Sequence, residues 1–511
     1  MRLKNLTRPG KSLTERTVEG GFWLFSFQLA NRLIQFVRTI VLARLLAPND
    51  FGLFGIALLS LAIIETFSRT GFRQALIQKK TDIKSYLNTA WTVGIIRGFL
   101  IAAILFFAAP HVATFFNEPS AEPLVKIVGL TLILQAFANI AIIYFEKELE
   151  FQKFVIYQFT GTIANVIVTI IAAVILRSAW ALVLGVFGEN LTKLIISYFI
   201  DRYRPKPHLD FQKIKELFNF GKWILGSSIL FFFLTQGDGI LVGKILGAAA
   251  LGLYQMAYRI SNMPTSEYSR LIVRVTFPAY SKLQDNLAKL NEAYLKVFQL
   301  TAILSIPIGG LIFILSPEFT KIFLGEKWMP MVPAMQVLAF YGMIRAIGGT
   351  TQPLFSAIGR PDITTKIKSG QLILLAILIY PLTSHWEIVG TSLSVAACSL
   401  IFNFTAVYAI SKKINSDYKK ITKLFGLPLI SSSAMVFAIF IAKTYFLSDA
   451  KIFSFFLLIG IGMLIFVATI YIFDTYFNFG GIKLVQDQLS ILLKKYKAKA
   501  TDQQKEKAEI I

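Results

Sequence analysis

The sequence predicts an all-α integral membrane protein of fourteen transmembrane helices. Two six-helix lobes are related by a pseudo-twofold along the membrane normal, and two extra helices follow. Three observations lead there. Of 511 residues, 55% are hydrophobic and only 16% charged, where a soluble domain carries about 25% charged, and the mean hydropathy is +0.62. The apolar residues gather into runs of membrane length, a bilayer needing about 20 residues of helix. A set of residues near the start also recurs, shifted by 200 positions.

Taken in order, the expected spans are 20–46, 51–77, 85–109, 122–145, 153–176, 179–200, 218–246, 250–277, 294–316, 330–357, 365–384, 386–410, 424–446 and 451–475. Hydrocarbon offers no partner to a free backbone N–H or C=O, so apolar runs this long are helices. The first span carries Gln28, Asn31, Arg32, Gln35 and Arg38 at helical spacing, which lines them up along one face. A charged guanidinium at mid-bilayer costs roughly 2.5–3.5 kcal/mol on insertion scales. That stripe is therefore expected to face a wet cavity or buried partners, not lipid.

The repeat fixes the architecture. Gly21, Trp23, Leu45, Leu46, Gly52 and Leu53 return as Gly221, Trp223, Ile245, Leu246, Gly252 and Leu253, with Arg44 matched by Lys244 and Phe54 by Tyr254. Six spans separate the copies, so both run the same way through the membrane, and spans 13 and 14 stand apart as an appendage. Span 8 has its own polar series, Gln255, Tyr258, Arg259, Asn262, Ser266 and Ser269. Arg38 and Asp238 are equivalent across the repeat, which makes them a candidate ion pair. Glu65, Glu189, Asp238 and Glu267 are the embedded acids, and embedded cations outnumber them. This balance favours an anionic ligand such as a phosphate, recognised by the planar guanidinium of Arg32 or Arg259. A plain structural ion pair is the competing account of these two arginines.

Basic residues divide the loops. Arg2, Lys4, Arg8, Lys11 and Arg16, then Arg202, Arg204 and Lys206, then Lys412, Lys413, Lys419, Lys420 and Lys423 fall on one side, while loops 110–121 and 383–388 have no Lys or Arg. Both termini are thus expected in the cytoplasm. The resulting plan is a basic N-terminus 1–19, a first lobe 20–200, a linker 201–217, a second lobe 218–411, the helix pair 412–475 and an amphipathic basic tail 476–511 that lies on the inner leaflet. The net charge of +23 follows from these loops and tails, so it argues for anionic lipid and not for nucleic acid.

Other patterns carry less. Gly10-Lys11-Ser12 lacks the first glycine and the strand of a phosphate loop. His111, His208 and His385 are far apart and expected in loops, so no metal site is expected. Cys398 sits alone in an apolar span. Gly239, Gly243 and Gly247, like Gly94 and Gly98, have the spacing of close helix contacts.

The run Leu42-Ala43-Arg44-Leu45-Leu46-x-Pro48-x-Asp50-Phe51-Gly52, the segment GFRQALIQKK at 71–80 and Gly359-Arg360-Pro361 resemble the Wzx-type polysaccharide flippases. These form the polysaccharide transporter branch of the MOP superfamily, whose members serve lipopolysaccharide and exopolysaccharide biosynthesis. The resemblance implies a transporter, not an enzyme, that flips an oligosaccharide linked to undecaprenyl pyrophosphate across the cytoplasmic membrane by alternating access. It implies a cationic cavity in which Arg32 and Arg259, with Arg38, meet the pyrophosphate. Gln28, Asn31, Gln35, Gln255, Tyr258 and Asn262 would then meet sugar hydroxyls. Glu65, Asp238 and Glu267 become candidates for a gating pair or for proton or sodium coupling, with no cofactor. Membrane lipids and the polysaccharide polymerase machinery are the implied partners. The alternative is a MATE-like multidrug or cation antiporter, for which an acidic cavity is expected.

Overall fold

The computed structural model describes residues 13–68, 71–79, 83–148, 150–445, 451–477 and 479–481, with side chains outside 13–22, 24–25, 219–225, 227 and 264–275. Glu267, Ser266, Ser269 and the proposed tail helix lie outside the described side chains. Among the described residues there is no β-strand. The helices run α1 (Leu13–Leu45), α2 (Pro48–Phe67), α3 (Phe72–Gln78), α4 (Lys84–Phe116), α5 (Ala121–Phe137), α6 (Ile143–Lys147), α7 (Phe151–Leu176), α8 (Trp180–Ile200), α9 (Phe211–Leu283), α10 (Leu287–Phe319), α11 (Val332–Gly348), α12 (Thr351–Ala357), α13 (Pro361–Lys413), α14 (Tyr418–Tyr445) and α15 (Ile452–Phe477).

Among the described residues, ten helices are long and apolar enough to cross a membrane, or eleven when Ala121–Phe137 and Ile140–Lys147, bent by 73°, count as one span. The chain is thus a multi-pass membrane protein. Length and apolarity alone stop short of the fourteen spans expected. The polar stripe keeps α1 below the apolar threshold, and two helices are broken inside. In α9 the break is Gly247, at φ 83° and ψ −179°, a backbone that suits only a residue without Cβ. In α13 it falls at Trp386 and Glu387, the latter at φ 50°. Gly247 is therefore a turn residue, not part of a helix-contact motif. A Cβ added to Gly94 would meet nothing within 4 Å, whereas one on Gly98 would lie 2.7 Å from the Ala136 Cβ. His111 and His385 lie in α4 and α13, not in loops, because both helices run on past the apolar stretch that marked their ends.

The chain divides into two compact units, Met1–Gln255 with Phe323–Pro330 and Thr383–Ile388, and Met256–Ile322 with Met331–Leu382 and Val389–Ile511. In the first, α7 packs on α8 and α1, and α5 packs on α4, α8 and α2; Leu42, Leu46, Ala173, Ala181 and Leu182 form one of its buried clusters. In the second, α10 packs on α11, α14 and α15, and α14 on α15.

The most specific motif of the sequence acts here as a joint. Pro48 starts α2, where its missing N–H costs nothing. Asp50 Oδ2 accepts from the Ala47 N–H at 2.9 Å and Oδ1 from the Ala179 N–H at 3.0 Å, so one carboxylate caps the starts of both α2 and α8. Gly52 then lets α2 cross the second arm of α9 with backbones in contact. A Cβ on Gly52 would lie 1.6 Å from the Ala248 carbonyl oxygen, and a Cβ on Gly252 would lie 1.9 Å from that of Pro48. Positions 48 and 248, like 52 and 252, are equivalent in the repeat, so the two copies meet reciprocally at this crossing.

Candidate functional site

In α1 the polar stripe and the exposed ridge lie on opposite faces. Leu29, Leu33 and Val37 are 52%, 59% and 57% exposed, four residues apart and so on one side. Gln28, Asn31, Arg32, Gln35 and Arg38 fall on the far side and are each half-buried. The apolar ridge is the surface suited to lipid, and the stripe is turned from it, as the cost of an embedded arginine requires.

Arg38 shows how the stripe is held. Its Nη1 donates to Gln35 Oε1 at 3.1 Å and its Nη2 to Thr169 Oγ1 at 3.2 Å on α7, while the Thr169 hydroxyl donates to the Asn165 carbonyl. One turn away, Asn165 Nδ2 donates to Glu189 Oε2 on α8 at 2.9 Å, and Lys193 donates to Glu189 Oε1 at 2.6 Å. Lys193 is thereby neutralised within α8. On the other side of the same unit, Arg97 of α4 donates to the Ser68 carbonyl at 2.9 Å, to the Ser68 hydroxyl at 3.0 Å and to the Glu65 carbonyl at 3.4 Å. Glu65 meets Arg97 through its backbone.

Asp238 is buried in α9, 5% exposed. Its Oδ2 accepts from the Tyr254 hydroxyl at 2.7 Å, and its Oδ1 from the Gly239 N–H at 2.9 Å. Tyr254 lies beyond the Gly247 break, so this bond ties the two arms of α9 together. Gln255 is placed next to it, with its side-chain amide 2.6 Å from where a Cβ on Gly55 would stand.

In the second unit, Arg259 is exposed although it lies in an apolar membrane-length stretch. No large apolar side chain is exposed among residues 248–263. This arm thus exposes an arginine where a lipid-facing helix would offer leucines. Asn262 is buried, with Nδ2 donating to the Tyr258 carbonyl at 3.1 Å.

Sequence periodicity does not reveal what lies next to Tyr258. Arg345 Nη1 of α11 donates to the Tyr258 hydroxyl at 3.2 Å, and Tyr341 stands beside that tyrosine. The two tyrosine rings stand 5.9 Å apart, tilted by 42°, with hydroxyls at 3.4 Å. Lys368, from the first arm of α13, donates to Gln371 Oε1 at 2.9 Å. Among the described residues no carboxylate stands within ion-pair distance of either cation. Lys368 carries no distinctive signal in the sequence, because a lysine near the start of a span reads as an interfacial anchor. No cluster of three or more His, Cys, Asp or Glu side chains that would hold a metal occurs among the described residues.

Residues 41–333 match the model of a family described as polysaccharide biosynthesis protein, which bears out the resemblance read from the motifs. Among curated relatives, the chain is 25% identical over 424 residues to the lipopolysaccharide biosynthesis protein WzxC of Escherichia coli (strain K12), covering 82% of this chain and 86% of the relative. It is 24% identical over 452 residues to the teichuronic acid biosynthesis protein TuaB of Bacillus subtilis (strain 168), covering 86% and 92%. Among solved structures, the lipid II flippase MurJ in an inward closed conformation superposes with a TM-score of 0.72 at 15% identity, covering 88% of this chain and 99% of that one. An inward-facing MATE transporter of the MOP superfamily gives 0.57 at 15% identity, covering 75% and 94%. These two likenesses concern the fold.

Proposed function

The chain belongs to the polysaccharide biosynthesis protein family, and from that premise we propose that it flips an oligosaccharide linked to a polyprenyl pyrophosphate across the cytoplasmic membrane by alternating access. The observation that carries this reading is the turning of the α1 stripe away from its lipid-type ridge Leu29–Leu33–Val37, together with the exposed residue Arg259 in a stretch without exposed large apolar side chains. Both are what a wet, cationic chamber requires, and an anionic pyrophosphate is what such a chamber attracts. Names given to the relatives, lipopolysaccharide and teichuronic acid biosynthesis, point to the same class of cargo.

In this reading Arg32 and Arg259, with Arg38, neutralise the pyrophosphate. Gln28, Asn31, Gln35, Gln255, Tyr258 and Asn262 offer hydrogen bonds to sugar hydroxyls, and Glu65, Asp238 or Glu267 takes part in gating or ion coupling. The isoprenoid tail stays in lipid while the headgroup passes. The fourteen-span plan is supported by the breaks at Gly247 and at Trp386–Glu387, which fall close to expected boundaries, and by the bent α5–α6 pair and α1, which overlap the expected spans 122–145 and 20–46. The two-lobe pseudo-symmetry is supported locally by the reciprocal Gly52–Gly252 crossing. A MATE-like cation antiporter would share the fold, but Arg38, Arg259 and Arg345 give the described polar faces the wrong sign for organic cations.

The test is to change Arg32→Ala and Arg259→Ala, verify membrane insertion, and measure flipping of the lipid-linked glycan in vesicles. Loss of a charge-assisted contact of about 1.5–3 kcal/mol lowers translocation by about tenfold or more in each variant. Unchanged transport removes both residues from the mechanism.

A further inference from the structure

A crevice of about 300 Å³ opens in the second unit where α10, α11, the second arm of α13 and the start of α14 come together. Phe298, Ile344, Ile347, Val407, Ile421 and Phe425 wall it. The two small polar side chains in its wall are turned to the backbone. Asn403 Nδ2 donates to the Ser399 carbonyl at 2.7 Å, and the Thr422 hydroxyl donates to the Tyr418 carbonyl at 2.7 Å. The Asn403 carboxamide also packs on Gly348, with its Oδ1 1.8 Å from where a Cβ there would stand. So apolar a space gives water too few partners, and its volume lies at the small end of ligand pockets.

The mouth of the crevice is graded. Tyr408 and Tyr418, both exposed, stack across the end of α13 and the start of α14 with ring centroids 5.7 Å apart and planes within 21°. One turn back along α13, Phe404 meets Phe425 edge to face at 6.2 Å. Beyond the tyrosines, Lys412, Lys413, Lys419 and Lys420 are exposed. Lys412 stands one turn, about 6 Å, past Tyr408, and Lys419 follows Tyr418 directly. Asp417 is the one carboxylate of the stretch 411–423, and its Oδ1 accepts from the Lys419 N–H at 2.9 Å. Lys423 is taken up by the Phe477 carbonyl. Cations, then tyrosines, then an apolar slot is the order in which a membrane interface passes from water to hydrocarbon, and the order of parts in an anionic lipid.

We propose that this crevice holds one acyl chain of an anionic phospholipid whose phosphate meets Lys412 and Lys419, a resident lipid and not the transported one. An unbranched chain suits so small a slot; a polyprenyl tail is longer and carries a methyl branch on every isoprene unit. The site is separate from the flippase reading, since Arg32 and Arg259 take no part in it.

The experiment titrates the full chain in mild detergent with phosphatidylglycerol and with phosphatidylcholine of the same acyl chains, and counts bound lipid by native mass spectrometry. The first phosphatidylglycerol is expected to bind about tenfold tighter than the first phosphatidylcholine. Lys412→Gln combined with Lys419→Gln brings the two lipids together. Lys126→Gln, at an ammonium already paired with Glu122 at 2.6 Å, leaves the preference intact. Thr422→Trp, which fills the mouth from an exposed position, weakens both lipids; should it fail to fold, Val407→Phe fills the slot from α13. Equal affinity for the two lipids, an unchanged preference in the double lysine variant, or unchanged first binding in the folded crevice-filling variant overturns the proposal. Displacement of phosphatidylglycerol by an equal concentration of undecaprenyl phosphate also overturns it, by giving the crevice to the cargo's tail. Arg32→Ala and Arg259→Ala are expected to leave lipid binding as it is, so failure of the flippase reading and failure of the lipid site are read apart.

Discussion

Asp238 is a carboxylate sealed inside a helix pair, and its bond from Tyr254 is the kind whose loss is felt. Removing the donor leaves a buried acceptor short of a partner, at about 1–3 kcal/mol. Tyr254→Phe is therefore expected to lower the thermal unfolding midpoint in detergent. Asp238→Asn, which keeps an acceptor for the tyrosine, should lower it less; equal midpoints for Tyr254→Phe and the unmodified chain would show the bond to be idle. The bond is only half legible in the sequence. Asp238 is visible there as an embedded acid, and its equivalence to Arg38 suggests a charge pair, whereas the bond to Tyr254 depends on the reversal at Gly247, which periodicity does not encode.

At the scale of elements, the sequence is most informative where one residue type is obligatory. The 200-residue offset picks out Gly52 and Gly252 without any geometry. Their backbone crossing explains why a glycine stands at both places: a methyl group would stand 1.6 or 1.9 Å from a carbonyl oxygen, and the helices would have to part. Gly52→Ala and Gly252→Ala are each expected to reduce folded yield or the unfolding midpoint severely. Gly94→Ala is the internal control, since its Cβ would meet nothing within 4 Å. It should be neutral, or stabilising by up to about 1 kcal/mol through better helix propensity. A Gly52→Ala chain as stable as the Gly94→Ala chain would contradict the crossing. The motif around Asp50 belongs to the same class, one carboxylate fixing two helix starts. By contrast, the end of α4 is misplaced by hydropathy, because helical hydrogen bonding continues to Phe116 through residues whose polarity suggests a loop.

For the whole molecule, the orientation proposed from basic loops can be set against the fold directly. Lys412, Lys413, Lys419 and Lys420 are exposed at the junction of α13 and α14. Holding such residues on the cytoplasmic side follows the bias that orients membrane proteins. The loop 110–121 at the end of α4 has no Lys or Arg of its own, although Lys244 reaches the Phe115 ring at 5.0 Å, and Glu118 there caps the arm that follows Gly247 by accepting from the Ala248 N–H at 2.8 Å. The chain suits a labelling test because Cys398 is its one cysteine and is buried. In a Cys398→Ser background, Asn415→Cys should react with a membrane-impermeant maleimide only after the cytoplasmic face is opened. Ser120→Cys should react in intact cells whose outer barrier has been permeabilised. The reverse pattern would invert the protein. An inverted protein would present the arginines proposed to meet the pyrophosphate first to the wrong leaflet, so the same two labels test whether export is the direction that this architecture serves.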